Sequence, residues 1–432
     1  MNNFVLKNVN LFNFKNGKLN YDGLKNITVK DGKINENADT AGLKIIDVEG
    51  RVGFHGLTNF HHHIYSQLSK GMPVSGDFSN FVKILENMWW KLDKVLFKEA
   101  VEYSTSIAAL DCIKNGVTTV FDHHASFDFI KGSLSTMGDI LEKFGLDNVM
   151  CFETSDRNGE AVLMESVEEN IDYINKIKNN SKRKAMFGLH APFTLSDKSL
   201  KIIREKTPEN TGFHYHLAED IADVKASLEI NKIDIVDRMT GFDMVNSKTI
   251  LGHCNHLTAE QFAKLEKFGP AIAHNPESNM NNAVGAVNYK LFEKMENIKF
   301  IPGTDGMSAN VLKSMKTAFL LYRHNNKNSE IGFELFDRML RNSAQFMETY
   351  FPGSWNMNSG SVANITVFDY IPYTPLTLDN FMGHLIYGIT ETRPYTVIKE
   401  KLLLSEGKIT FADEAEICRQ AVKISEKLWG KL

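Results

Sequence analysis

The chain has 432 residues, 43% of them hydrophobic and 24% charged, with a formal net charge of -4. That length reaches past a single ordinary domain to a decorated (β/α)₈ barrel, and the composition excludes disordered and collagen-like classes. No basic stripe or acidic block is present, which excludes an electrostatic footprint for nucleic acid or an anionic membrane and favours a small neutral or modestly polar ligand.

The N-terminal stretch "MNNFVLKNVNLFNFKNGK" lacks a basic region followed by an apolar run of about 7 to 15 residues, so it is not expected to act as a signal peptide. No segment offers about 18 consecutive apolar residues for a membrane span. Cys112, Cys151, Cys254 and Cys418 form no CxxC pair, against a disulfide scaffold or a cysteine zinc knuckle. A cytoplasmic protein is expected. Residues 1–53 read as short β elements, with Asn16-Gly17 and Asp31-Gly32 as hairpin signals between apolar runs. Residues 359–432 alternate in the same way, through "SVANITVFDY" and "YTVIKEKLLLSEGKITF", the latter with a Glu-Gly turn. The two ends are expected to pair into one small β-sandwich-like domain.

Between them, over residues 54–358, the pattern becomes that of βα units. Eight short runs, "GLTNFHH", "GVTTVFDHH", "NVMCFETS", "KAMFGLHAP", "GFHYHLAE", "KTILGHCNH", "GPAIAHNP" and "IKFIPGTDG", alternate with longer segments of helical period. The spacing leaves room for a crossover helix each time. Segments such as "KEAVEYSTSIAALDCIKNG" and "EDIADVKASLEINKIDIVDRMTG" are expected to form outer helices that stop at Gly. The fold class is therefore α/β, a (β/α)₈ TIM barrel with the small terminal β domain.

Nearly every run ends in His, Asp or Glu, and 12 of the 14 histidines lie between His55 and His274. In a (β/α)₈ barrel the active site is built at the carboxyl ends of the strands. Alternation along a strand puts His61 and His63 on one face and His62 on the other, between barrel and helices. An isolated HxH pair is more often structural than metal-binding. Here it has company: His216 with Glu219 three residues on, His253, and Asp305 at the last strand. Three imidazoles and a carboxylate can hold a divalent ion and leave a position open for water. Glu219 is then free for acid and base work beside the ion. The fourth run carries a lysine only at its start, Lys184, so a bridging modified lysine and a second metal are not expected.

The ordered set "GLTNFHHHI", "GVTTVFDHH", "HAPFTLS", "HYHLAED", "GHCNHL", "HNPESNMNNAVG" and "GTDGMSAN" resembles the amidohydrolase superfamily, in its chlorohydrolase and cytosine-deaminase-like branch. The resemblance covers essentially the whole chain. It implies that His61, His63, His216 and Asp305 bind one divalent metal ion, Zn²⁺ or alternatively Fe²⁺. It implies that Glu219 shuttles protons, that His253 orients or polarises the attacking water, and that Asp305 helps to deprotonate it. His190 would touch the substrate and His274 would line the same mouth. A homodimer is also implied. The chain departs from the branch at His55, where proline is usual, at His62, where a small residue is usual, and at "GSVAN" in the returning segment.

His214 shares a face with His216 but lies deeper, as a hydrogen-bonded core histidine would. One of His123 and His124 should face the mouth and the other the helix layer, while His256 reads as a loop residue. Trp89 and Trp90 either cap the pocket or simply pack. The function expected is a metal-dependent aminohydrolase that releases ammonia from a small heterocycle such as a purine or pyrimidine. Ring opening of a cyclic amide or hydrolytic dehalogenation could use the same site. A non-catalytic metal-binding subunit is the reading from another class, and it would need neither Glu219 nor a proton-accepting Asp305.

Overall fold

The computed structural model describes residues 3–15 and 17–432. Each of the eight runs contains strand. They are Leu57–His62, Val117–His124, Asp147–Phe152, a fourth broken into Arg183–Ala185 and Phe187–Gly188, then Phe213–Leu217, Ile250–His253, Ala271–His274 and Lys299–Pro302. All pair in parallel, as two sheets of four and five strands that part within the fourth strand at Met186. Isolated parallel bridges, His62 to Asp305 and Thr154 to Leu189, link the sheets at both edges. Almost every residue of these strands is buried, as expected where helices cover a parallel sheet.

The first expected outer helix forms as a single piece, Lys98–Lys114, and stops at Gly116, whose φ of 76° only glycine adopts freely. The second does not. It breaks into Ile221–Ala226, a wider turn over Ser227–Asn231, and Ile235–Gly241. Lys232 adopts a left-handed φ of 58°, and Asp234 then restarts the helix by accepting from the backbone N–H groups of Val236 and Asp237.

The chain ends meet in one mixed nine-stranded sheet, in which Asn364–Phe368 lies antiparallel to Val52–His55. Two of its hairpins follow the expected turn chemistry. Asp31-Gly32 has φ of 53° and 78°, and Glu406-Gly407 has 49° and 72°, so both central residues are left-handed as a two-residue turn between twisted strands requires. At the Asn16-Gly17 turn, Lys15 pairs with Lys18, while Asn16 lies outside the described residues. His55, one of the unusual residues, accepts the Phe14 N–H on Nε2 at 3.0 Å and stacks on Trp355, so it serves the sheet. The final segment, read as wholly β, instead ends in a helix, Glu414–Trp429. Its Trp429 Nε1 donates to the Leu68 carbonyl at 2.8 Å and ties this helix to the short helix Ile64–Ser69 after the first parallel strand. Among the described residues no helix is long and apolar enough to cross a membrane.

Candidate metal centre and its pocket

The carboxyl ends of the first, fifth and eighth parallel strands bring His61, His63, His216 and Asp305 together, with ligand atoms all within 4.8 Å of one another. Asp305 Oδ1 lies 2.8 Å from His63 Nε2 and 3.6 Å from His61 Nε2. His63 Nε2 and His216 Nε2 are 3.1 Å apart. This approach is informative because both rings have their Nδ1 on a backbone carbonyl, that of His123 at 2.7 Å and that of His190 at 2.8 Å. A carbonyl only accepts, so each Nδ1 carries the hydrogen and each neutral ring turns an Nε2 lone pair towards the other. Two such lone pairs repel unless a cation lies between them. His61 Nε2 is also buried with no hydrogen-bond partner. Three imidazole nitrogens and a carboxylate are the donor set of a divalent centre with an open position, so the residues fit such an ion.

A proton can serve in part as that cation. Burial disfavours charge on His63, but the Asp305 carboxylate outweighs it and lifts this imidazole to about 9. Burial alone would raise Asp305, yet the charge on His63, 2.8 Å away, holds it well below the usual carboxylate range. Burial keeps His61 and His216 well below the ordinary imidazole value, as neutral ligands require.

Backbone strain gathers here. Ala218, His253, Cys254 and Asp305 all have positive φ, between 48° and 69°. Such conformations cost about 1 to 3 kcal/mol each and persist where surrounding packing holds them. At Gly303, just before the Thr304-Asp305 turn, an added Cβ would lie 2.2 Å from Asn275 Oδ1 and 2.9 Å from His61 Cβ, so only glycine lets this turn close on the first strand.

Glu219 and His253 stand beside the cluster, with Glu219 Oε2 3.6 Å from His253 Nε2, which in turn lies 4.0 Å from Asp305 Oδ2. Burial lifts the Glu219 carboxyl to about 7, with His253 opposing and Asp305 reinforcing the rise. An amide chain fixes the His253 tautomer. Asn255 Nδ2 donates to the Glu219 carbonyl at 3.1 Å, Asn279 Nδ2 to Asn255 Oδ1 at 2.9 Å, and Asn279 Oδ1 faces His253 Nδ1 at 2.7 Å. Because the chain ends on a carbonyl, every link has one direction, so His253 Nδ1 donates and its Nε2 is left buried without a hydrogen-bond partner, facing Glu219 and Asp305. Ser278 donates to Asp305 Oδ2 and Asn282 Nδ2 lies 3.5 Å from Glu219 Oε1.

His190 lines the pocket above the cluster. The Thr194 hydroxyl donates to the Ala191 carbonyl, so it accepts from His190 Nδ1 at 2.9 Å and leaves His190 Nε2 as an acceptor. His274 does not match its expected place. It lies outside the pocket lining, with its ring on Phe300 and its Nε2 2.7 Å from the Tyr289 hydroxyl, because that packing leaves it fully buried. His62 turns away from the cluster, its Nδ1 2.8 Å from the Asp305 carbonyl and its Nε2 facing the Gln67 amide. His214 lies behind His61, their ring nitrogens 2.7 Å apart. Of the undecided pair, His123 packs against the rings of His63 and His216, whereas His124 turns to Ser126. Trp89 and Trp90 both line the pocket, a cavity of about 420 Å³.

Sequence reasoning missed two residues of the pocket wall, Asp93 and Glu153, with the Arg157 that pairs with both, and the Ser278, Asn279 and Asn282 contacts. The latter three stand in "HNPESNMNN", where polar residues at i, i+1 and i+4 on one short helix were the available signal.

The chain is similar along most of its length to proteins of known activity. It is 28% identical to a 5'-deoxyadenosine deaminase of Methanococcus vannielii over 87% of this chain and 88% of that protein. It is 25% identical to the enzyme of the same name from Methanocaldococcus jannaschii over 98% and 99%. Among solved structures, a zinc-bound adenosine deaminase from Xanthomonas campestris superposes with a TM-score of 0.84 at 16% identity, covering 98% of both chains. The family profile described as "Amidohydrolase family" matches residues 54–341, and the chain therefore belongs to the amidohydrolase family.

Proposed function

We propose that the protein is a mononuclear metal-dependent aminohydrolase that replaces a ring amino group of a small heterocycle by oxygen and releases ammonia. The observation that carries this reading is the close approach of the Nε2 atoms of His63 and His216, 3.1 Å apart beside Asp305, with the buried Glu219 carboxyl near them. His61, His63, His216 and Asp305 would hold the ion, zinc in the first instance. A bound divalent ion of this kind acidifies water and polarises the carbon under attack.

The chain's own groups then divide the work. His253 Nε2, aimed at the cluster by the Asn279–Asn255 chain, and Asp305 Oδ2 orient the attacking water. Glu219, poised near neutrality, takes a proton from that water as its oxygen bonds to the amino-bearing carbon and passes the proton to the adjacent ring nitrogen; it then carries the remaining hydroxyl proton to the amino group, so that the C–N bond breaks, the C=O forms and ammonia leaves. His190 Nε2 accepts a hydrogen bond from the ring. Substrate from the aminopurine class is supported by the names of the relatives, which are 5'-deoxyadenosine deaminases, and by a cavity large enough for a nucleoside.

The bridges at both sheet edges support a closed eight-stranded barrel. A division near residues 53 and 358 is supported by a separate apolar cluster, built from Phe4, Val9, Ile365 and Ile398 among others, inside the terminal sheet. That cluster also suits a sheet folded on itself as a sandwich. A panel of aminated purines, pyrimidines and triazines, with cyclic amides as controls, assayed for ammonia, tests the reading. Release from an aminated ring is expected; ring opening of a cyclic amide without ammonia would overturn it.

A further inference from the structure

The three imidazoles of the cluster are anchored in two different ways. His63 and His216 give their Nδ1 hydrogens to backbone carbonyls, those of His123 and His190. His61 differs: its Nδ1 lies 2.7 Å from Nε2 of another imidazole, His214. Alternation along Phe213–Leu217 puts His214 on the same face as His216, one step deeper in the barrel. At that depth a barrel is ordinarily filled by branched apolar side chains. His61 and His214 are 0% and 1% exposed, and among the described residues the contact with His61 is the one hydrogen bond that the His214 ring makes. Burying a polar ring costs free energy unless it is hydrogen-bonded, so the pairing with His61 is what offsets the burial of His214.

The direction of this bond follows from the other side of the His61 ring. One hydrogen lies between the two nitrogens, so either His61 donates or His214 does. If His214 donated, the hydrogen of a neutral His61 would sit on Nε2. Asp305 Oδ1 is 3.6 Å from that atom, too far to accept it, and His61 Nε2 has no hydrogen-bond partner. A buried donor would then be left unsatisfied in the space between the ligands. If His61 donates, its Nε2 instead turns a lone pair towards His63, His216 and Asp305, where a cation can take it.

We propose that His214 is a positioning residue for the metal centre: it accepts the Nδ1 hydrogen of His61, fixes that ring as an Nε2 ligand and so sets the affinity of the site for its ion. The inference rests on the ligand set of the aminohydrolase reading and goes beyond it, because His214 is not one of the four ligands and does not line the pocket. A backbone carbonyl survives any substitution of its own side chain. Of the three imidazole ligands, His61 is therefore the one whose anchor a single side-chain change removes.

The test uses the full chain as wild type, H214L and H214Q, each stripped of metal and titrated with zinc against a competing chelator. Leucine cannot accept the hydrogen, whereas the glutamine carbonyl can. H214L is expected to bind zinc about 10 to 100-fold more weakly than wild type, and H214Q to recover most of that loss. Equal zinc affinity in all three proteins overturns the role of His214 and leaves the four ligands standing. So does an equal loss in both variants that follows a common fall in metal-free stability, measured by chemical denaturation. A dependence on His214 without ammonia from any aminated ring supports the proposal and contradicts the aminohydrolase reading. A wild type that binds no zinc contradicts the ligand set and the proposal together. Should neither variant fold, nitrogen NMR of the zinc-loaded wild type with isotopically labelled histidine decides. The His61 hydrogen is expected on Nδ1, with a scalar coupling across the hydrogen bond to His214 Nε2; a hydrogen on His61 Nε2, or no coupling between the two rings, overturns it.

Discussion

The floor and the wall of the pocket are built on different principles. The floor residues His61, His63, His216 and Asp305 stand at strand ends, where the backbone fixes direction and a period of two decides which side chains converge. The wall residues Asp93 and Glu153 come from a short helix and a loop distant in sequence, and both pair with Arg157, whose guanidinium packs on Trp90 and Phe127. A rigid sheet thus suits a centre in which small displacements matter, whereas the loops suit recognition that varies between relatives.

This contrast can be broken at the floor first. E219Q should retain bound metal and lose about a thousandfold in kcat for ammonia release. Metal content by elemental analysis and initial rates check both halves, and unchanged turnover would remove Glu219 from the proton path. H61A and D305A should lose most of the bound metal, measured in the same way; full occupancy in both would contradict the assigned ligands.

A smaller effect lies one shell out. N279A removes the acceptor that fixes His253 Nδ1 as a donor, and is expected to lower kcat/KM by about 10 to 100-fold with metal content preserved. Rates that stay at wild-type level would mean that the amide chain does not position His253.

The smallest loss is expected on the far side of the first strand. H62T should keep the metal and most of the activity, because His62 points its ring nitrogens at the Asp305 carbonyl and the Gln67 amide rather than into the cluster. Its cost is to stability, about 1 to 3 kcal/mol from the hydrogen bonds it gives up in a buried site, read from chemical denaturation. Loss of metal in H62T would invert the contrast between the two faces of this strand.

How far these features were legible follows from the same physics. Alternation in "HHH" and the polar ends of eight apolar runs located the strands and nominated the residues at their ends, because both are local properties of the chain, whereas the choice of four ligands among them came from the resemblance to the amidohydrolase superfamily. His274 sits at an equally suggestive strand end, yet its direction depends on Phe300 and Tyr289, partners that no local pattern reveals. The segment 219–241 has helical period throughout, but the left-handed Lys232 and the Asp234 cap divide it. The buried Asp93–Arg157–Glu153 group left no spacing signal at all, since its members are joined only by tertiary contact.

The ligand set is the centre of the account, and a crystal of the zinc-loaded protein tests it most directly. A single anomalous peak at the zinc edge is expected, bound by His61, His63, His216 and Asp305 with zinc–nitrogen distances of about 2.0 to 2.1 Å and one position left open. A zinc ion coordinated by His62, or one seated away from these four residues, would contradict it.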